Sequence, residues 1–223
     1  MSDPAPLARL PPDARRWLTL SVALTGVYIA LDIIAQLLPP HYSPISQAES
    51  DLAVGPYGFV MTVNFVVRGV LSLAFLAGIY GATTVGRRSP VGVGLLGVWA
   101  VGAFVLAASP TDVGSGPATL HGTIHDLTAV LVFVAAAVGE VLLSLRFSDD
   151  PRLARFGTPA MTVAVLAFLA LLALFYANVH PRLAAEAFGL FERVFLGLVL
   201  LWMLLVAVYV LRQDARGRAA LPG

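Results

Sequence analysis

The chain has 223 residues, of which 58% are hydrophobic and only 12% charged, and its formal net charge at pH 7 is +1. A soluble domain usually carries about 25% charged residues, so this composition excludes an ordinary soluble protein, and nothing in it predicts nucleic-acid binding. There is no cysteine, which excludes disulfides, iron–sulfur clusters and thiol catalysis. All 14 basic side chains are arginine, so no lysine can form a Schiff base with retinal or pyridoxal phosphate.

Six apolar runs follow one another along the chain, and each is long enough for a helix to cross about 30 Å of hydrocarbon. They cover residues 17–38, 57–80, 91–108, 121–145, 159–178 and 189–211. The sequence therefore predicts an all-α integral membrane protein, with a six-helix transmembrane domain at residues 17–211. Residues 1–16 and 212–223 are the predicted tails. The first run lacks a small-residue cleavage site before Pro39, so we expect an uncleaved span.

The arginines predict the orientation of these spans. With six crossings, eleven of them lie on one side, and only Arg182 lies in a connection on the other. Cytoplasmic connections are enriched in basic residues. We therefore expect both termini to be cytoplasmic and the protein to be a multi-pass component of the plasma membrane. The eleven are Arg9, Arg15, Arg16, Arg87, Arg88, Arg146, Arg152, Arg155, Arg212, Arg216 and Arg218.

Polar side chains concentrate at the predicted outer boundary, where the connections cover residues 39–56, 109–120 and 179–188. Residues 46–52 of the first connection are expected to form a short helix on the membrane surface. The boundary holds all four histidines and six charged residues, namely His41, His121, His125, His180, Glu49, Asp51, Asp112, Asp126, Glu192 and Arg193.

Three further polar residues, Asp32, Asn64 and Arg68, lie deeper in the predicted spans. At 1.5 Å per residue, Arg68 should lie roughly 16 Å along the second span and Asp32 roughly 9 Å below the outer end of the first. Ionisable groups at such depth usually face the bundle interior and form pairs. We therefore expect a polar funnel that opens outward and closes near Arg68. We expect Arg68 to form an ion pair with Asp32 or Glu192.

The stretch TLHGTIHDLTAV at 119–130 places two histidines four residues apart. Side chains at this spacing share a helix face, with Cβ atoms about 6 Å apart, which lets two imidazoles bind one metal ion. His121 and His125 are therefore candidate ligands of Zn²⁺, with Asp112 or His180 as a third ligand and an open coordination position. Asp126 or Glu49 would orient an imidazole or act as general base.

Two other interpretations of the histidines stay open. One is a hydrogen-bonded network that fixes the connections onto the bundle or handles protons. The other is a haem, which would need His41 or His180 as an axial ligand, because His121 and His125 cannot reach opposite faces of one iron. A serine nucleophile is not favoured, since the chain has no G-x-S-x-G motif.

Four short motifs resemble the DUF998 family of bacterial and archaeal membrane proteins. They are Tyr42, Pro44, Ile45 and Ser46 after the first span; Pro110 and Asp112 after the third; His121, Gly122 and His125 at the start of the fourth; and Glu192 with Arg193 at the start of the last. The resemblance covers most of the chain. It implies a six-span bundle and a site shared by these residues, and it implies no particular activity.

The sequence thus predicts an outward-facing site on a membrane protein, with two functional hypotheses. The first is a metal-dependent hydrolase or transferase acting on an amphiphilic or lipid substrate from the outer leaflet. In it, His121 and His125 bind Zn²⁺ with Asp112 or His180, while Glu49, Asp51 or Asp126 activates water. Arg68 or Arg193, near Glu192, holds an anionic group. The alternative is a small-molecule or proton-linked transporter, or a binding subunit, without catalytic activity.

Overall fold

The computed structural model describes residues 9–114 and 116–219, which contain seven α-helices. They are α1 (Pro12–Leu37), α2 (Gly58–Ala82), α3 (Val85–Arg88), α4 (Pro90–Ala108), α5 (Leu120–Ser144), α6 (Gly157–Val179) and α7 (Pro181–Ala219). Six of them, all except α3, are long and apolar enough to cross a membrane. The predicted all-α protein with six spans is confirmed. Residues 1–8 and 220–223 of the two predicted tails lie outside the described residues.

The spans pack against one another in chain order. α1 contacts α2, α2 contacts α4, and the series continues through α5 and α6 to α7, which also contacts α1. α7 meets α2 and α5 across the centre of the bundle as well. This arrangement follows from the short connections, which make consecutive helices antiparallel neighbours.

The two ends of the bundle differ in chemistry, and we name each by one residue. The Arg146 end carries the start of α1 and the last turns of α7, where the Leu10 N–H donates to Asp214 Oδ1 at 2.9 Å. It also carries Asp150, which accepts hydrogen bonds from the backbone and hydroxyl of Thr84. The opposite end is the His125 end, where α2, α5 and α7 begin. The positive-inside prediction assigns the Arg146 end to the cytoplasm.

The prediction of a third connection at residues 179–188 is wrong. α6 ends at Val179 and α7 begins at Pro181, so His180 alone separates them. The cause is local: proline suits the first position of a helix, and the following stretch, RLAAEAF, is rich in strong helix formers although Arg182 and Glu186 interrupt its apolar residues. As a result, Glu192 and Arg193 lie about three turns inside α7 rather than at its start.

The other connections resemble their predictions more closely. The first connection contains a single 3-10 helix, Glu49–Ala53, which is shorter than the expected helix at 46–52 and begins later. α1 begins at Pro12, again with proline at the start of a helix, and so includes the last residues of the predicted N-terminal tail. Two more 3-10 helices, Phe147–Asp149 and Ala154–Phe156, join α5 to α6.

The core contains two fully buried tryptophans whose indole N–H groups are both hydrogen-bonded. Trp99 donates to Ser72 Oγ at 3.1 Å, and Trp202 donates to Ser144 Oγ at 3.0 Å. Phe75 meets Trp202 edge-on, with ring centroids 5.7 Å apart. A buried indole needs such an acceptor, so these serines fix how the helices rotate against each other.

Candidate functional site

A cavity of about 330 Å³, here called the Arg68 cavity, lies in the His125 half of the bundle. Its walls come from α2, α4, α5, α6, α7 and the connections between spans. The polar residues that line it are Glu49, Ser50, Asp51, Arg68, Thr111, His125, Asp126, Asn178 and Glu192. The apolar residues are mainly aromatic or branched, and include Phe65, Leu106, Val130, Phe133, Leu174, Phe175, Phe188 and Leu196. The predicted polar funnel therefore corresponds to a cavity.

Arg68 lies about 15 Å along α2, near mid-span, and its side chain is only 1% exposed. Its guanidinium carbon lies 4.4 Å from the centroid of the Trp99 ring and 5.1 Å from that of Phe65. Both distances are within the range of cation–π attraction. Since Ser72 accepts the indole N–H of Trp99 and itself donates to the Arg68 carbonyl oxygen, this one serine positions the ring against the guanidinium.

Beyond its contacts with the Trp99 and Phe65 rings, the guanidinium of Arg68 has no charged partner in the described part of the chain. Among the described residues, no carboxylate oxygen forms an ion pair with the Arg68 guanidinium within 4 Å. Its Nε and Nη2 are buried without a hydrogen-bond partner. The predicted ion pair with Asp32 or Glu192 is wrong, because Asp32 accepts from Gln36 Nε2 at 2.6 Å and Glu192 accepts from a backbone N–H.

Two buried carboxylates, Glu49 and Glu192, lie on another wall of the cavity. The Glu49 backbone N–H donates to Glu192 Oε2 at 2.6 Å. The Tyr28 hydroxyl donates to Glu49 Oε1 at 2.5 Å. Sequence reasoning missed Tyr28, although it is one helical turn before Asp32 on the same face of α1. These contacts tie α1, the first connection and α7 together at the cavity.

The first connection is docked onto α7 by Arg193. Its Nη1 donates to the carbonyl oxygens of Pro44, Gln47 and Gly189 at 2.9–3.1 Å, and its Nη2 donates to the Tyr42 hydroxyl. Glycine is required at 189, because a Cβ there would lie 2.1 Å from the Gln47 carbonyl oxygen. Arg193, a predicted anion-binding residue, is thus occupied in holding the connection and does not line the Arg68 cavity.

Asp51 follows Glu49 in the docked connection and lines the same cavity. Burial raises the pKa of its carboxyl above the usual range, while a hydrogen bond from the Ala48 backbone and the charge of Arg193 act in the opposite direction. Burial likewise raises the pKa of Tyr42. Docking of the connection is what desolvates both groups.

His125 is buried on α5 and lines the cavity. Its Nδ1 lies 2.7 Å from the Ser109 carbonyl oxygen. A carbonyl can only accept, so Nδ1 carries the proton, and Nε2 of the neutral ring is left with a free lone pair. Phe65 packs against the imidazole, with ring centroids 6.2 Å apart. Asp126, next in sequence, lies at the rim of the cavity and is exposed.

The other predicted metal ligands do not line the cavity. His121 is exposed on the first turn of α5. Asp112 accepts hydrogen bonds from the backbone and hydroxyl of Thr119, which lower the pKa of its carboxyl. His180 lies at the α6–α7 junction with its Nδ1 2.7 Å from the Tyr176 carbonyl oxygen. Within residues 9–114 and 116–219, no three histidines or carboxylates are grouped as metal ligands. The zinc site remains a prediction.

Glu140 is a further buried carboxylate, on α5 and outside the Arg68 cavity. It is fully buried, and neither of its carboxylate oxygens has a hydrogen-bond partner in the described part of the chain. It lies one turn before Ser144, the serine that accepts from Trp202. An ionised carboxylate is too costly at such a position without a partner, so we expect Glu140 to be neutral.

Comparison with known proteins places the chain in a family. The model of the family described as protein of unknown function (DUF998) matches residues 22–209. No curated protein and no solved structure matches the chain. The match includes all six membrane-spanning helices and both walls of the Arg68 cavity, and it confirms the resemblance noted in the sequence. The chain is a multi-pass membrane protein and belongs to the DUF998 family.

Proposed function

We propose that the Arg68 cavity binds the anionic head group of an amphiphilic small molecule or lipid. The observation that carries this proposal is the buried guanidinium of Arg68, which forms no ion pair in the described part of the chain and whose Nε and Nη2 have no hydrogen-bond partner there. Unpartnered buried polar groups are rare in proteins and call for a specific explanation. A bound phosphate, sulfate or carboxylate would supply the missing acceptors.

The shape and lining of the cavity suit an amphiphile. Its volume of about 330 Å³ is at the lower end of the range for small-molecule sites. Most of its walls are aliphatic or aromatic, while Glu49 and Glu192 lie together on one side. A head group that also carries hydroxyl or ammonium donors would satisfy these carboxylates. Interactions with Arg68 at one point and with the acids at another would fix its orientation.

The test is a binding titration of protein in phosphatidylcholine nanodiscs, with dodecyl phosphate as ligand and dodecanol as its uncharged counterpart. Trp99 lies against Arg68, so its fluorescence reports binding, and Trp99→Phe identifies its share of the signal. We expect dodecyl phosphate to bind more tightly than dodecanol. Arg68→Gln should weaken phosphate binding about 10- to 100-fold, the loss of one charge-assisted hydrogen bond.

The variant should fold, because Arg68 has no carboxylate that would be left buried without its partner. Arg182→Gln is the matched control, since Arg182 is an exposed arginine on α7. Equal binding of the two ligands, or wild-type affinity in Arg68→Gln, would refute the proposal.

Hydrolysis or group transfer is the second candidate function, and the geometry of His125 favours it. With Nδ1 held by the Ser109 carbonyl, the lone pair of Nε2 is free to take a proton from water as general base or to bind a metal ion through an imidazole oriented from its other nitrogen. The other candidate ligands remain His121 and, as the third ligand, Asp112 or His180. The reaction would cleave or transfer a group on the same amphiphile.

Hydrolysis of p-nitrophenyl laurate by the purified protein, with and without added Zn²⁺, tests this second function. A general base predicts that His125→Gln abolishes hydrolysis and that His121→Gln does not. A zinc enzyme predicts loss of activity in both variants and about one Zn²⁺ per chain in the wild type. Wild-type activity in His125→Gln would exclude both mechanisms.

A further inference from the structure

A second, mostly apolar cavity of about 300 Å³ lies between α1 and α7, and we call it the α1–α7 groove. Ile29 and Leu201, which line it, are 48% and 40% exposed. Both lie on membrane-spanning helices, so their exposed surface faces the hydrocarbon of the bilayer. The groove therefore opens sideways to lipid rather than toward water.

The groove is amphipathic along its length. At the His125 end, Asp32 Oδ1 and Arg193 Nε are both buried without a hydrogen-bond partner. Toward the Arg146 end, its wall is formed by Leu200, Leu201 and Leu204. From position 193 to position 204 of α7 the distance is about 16 Å at 1.5 Å per residue. This order, a polar end followed by a long apolar wall, matches the order of groups in an acylated or alkylated amphiphile.

The groove and the Arg68 cavity are adjacent. Glu49 and Leu196 line both of them and form the partition between them. Glu49 is held there by the Tyr28 hydroxyl on the groove side and by Glu192 on the cavity side. A molecule with its head near Arg68 and its tail along α7 would pass between Glu49 and Leu196.

We infer that the α1–α7 groove holds the hydrocarbon tail of the amphiphile whose head group occupies the Arg68 cavity, and that this ligand reaches the site sideways from the bilayer. The inference rests on the proposed function of the Arg68 cavity. It adds the class of ligand, a single-chain amphiphile with an anionic head. A hydrogen-bonding group at the head–tail junction would satisfy Asp32 and Arg193.

Gly197 allows the groove to be filled without disturbing the protein. It lines the groove, and a Cβ added to it would meet no atom within 4 Å. Gly197→Phe therefore places a large side chain in open space, and it replaces a poor helix former with a better one. Gly94→Phe is the matched control, because Gly94 also faces open space on α4 but lines neither cavity.

The experiment compares dodecyl phosphate with butyl phosphate, which has the same head and a short tail, in nanodiscs. Gly197→Phe should weaken binding of dodecyl phosphate at least about tenfold, the steric cost expected when a large side chain occupies space that the tail needs, and leave butyl phosphate binding unchanged. Arg68→Gln should weaken both. A dodecyl phosphate with a diazirine on its chain should label Leu201 or Leu204 in the wild type and in Gly94→Phe, and not in Gly197→Phe.

Each result has a definite reading. Wild-type dodecyl phosphate binding in Gly197→Phe, or labelling confined to helices other than α1 and α7, overturns the groove assignment while the head-group proposal stands. If the wild type binds butyl phosphate as tightly as dodecyl phosphate, the tail contributes nothing and the groove assignment is again wrong. If the wild type binds neither phosphate, the proposed function fails and the inference fails with it.

Discussion

Replacing Arg193 with methionine should release the first connection from α7. Methionine has a similar length but no donors, so the variant loses the contacts of Nη1 with the Pro44 and Gln47 carbonyls and of Nη2 with the Tyr42 hydroxyl. A hydrogen bond to a charged group contributes about 1.5–3 kcal/mol. Water replaces part of this hydrogen-bond energy when the connection opens. We therefore expect the free energy of opening the connection to fall by about 3 kcal/mol, roughly the value of one to two such bonds.

Amide hydrogen exchange measures this opening directly. The Gln47 N–H donates to Ser43 within the connection, and the Leu190 N–H of α7 donates to the Ile45 carbonyl across the interface, at 2.8 Å. A loss of about 3 kcal/mol corresponds to exchange that is about 100 times faster at these amides. Amides in the middle of α5 should be unaffected, because the hydrogen bonds of Arg193 go to the first connection and to α7.

Arg182→Met is the control for this experiment. Arg182 precedes Arg193 on α7 and forms one exposed ion pair with Glu186, at 3.2 Å. Such pairs contribute about 0.3–0.5 kcal/mol, so exchange in the first connection should change by less than about threefold. If Arg193→Met and Arg182→Met give the same exchange rates at Gln47, Arg193 does not hold the connection, and the assignment of its four contacts is refuted.

Two further predictions concern other parts of the bundle. The pKa of Asp112 is lowered in the folded protein because its carboxylate accepts hydrogen bonds from Thr119. Its stabilisation of the start of α5 is therefore present at neutral pH and is lost as the pH falls below about 4. The protection factors of the first α5 amides should decrease below that pH in the wild type, and a pH-independent profile would contradict this. Ser144→Ala removes the acceptor of the buried Trp202 indole and should lower the free energy of unfolding, measured in mixed micelles, by about 1–3 kcal/mol. The control Ser148→Ala, at an exposed serine, should show no comparable loss. Equal stabilities of the two variants would refute the role of this hydrogen bond.

The sequence by itself determined the number of spans and the end of the bundle at which the polar site lies. Each apolar run is as long as the hydrocarbon is thick, and this constraint acts on length and composition alone. Residues at equal distances from the end of their spans lie at the same level of the bundle. Of the residues predicted at this boundary, Glu49, Asp51, His125, Asp126 and Glu192 line one cavity with the deeper Arg68, whereas His41, Asp112, His121, His180 and Arg193 do not.

Hydropathy did not indicate where α7 begins. An apolar window starts near residue 189, yet the helix begins at Pro181, because a helix end depends on backbone propensity and capping rather than on transfer to lipid. This error placed Glu192 and Arg193 at the start of a span, with side chains free to meet a ligand. In the structure they lie inside α7 and fasten the first connection to it.

Only the tertiary structure decided which residues of the polar site face one another. Depth along a span can be counted from the sequence, but the rotation of each helix about its axis is set by packing against its neighbours. Packing turns Arg68 toward Trp99 and away from Asp32, which lines the α1–α7 groove instead. It likewise leaves His121 exposed while His125, one turn later, is buried against Ser109. Contacts between helices distinguished the two histidines, which the spacing alone had treated as a pair.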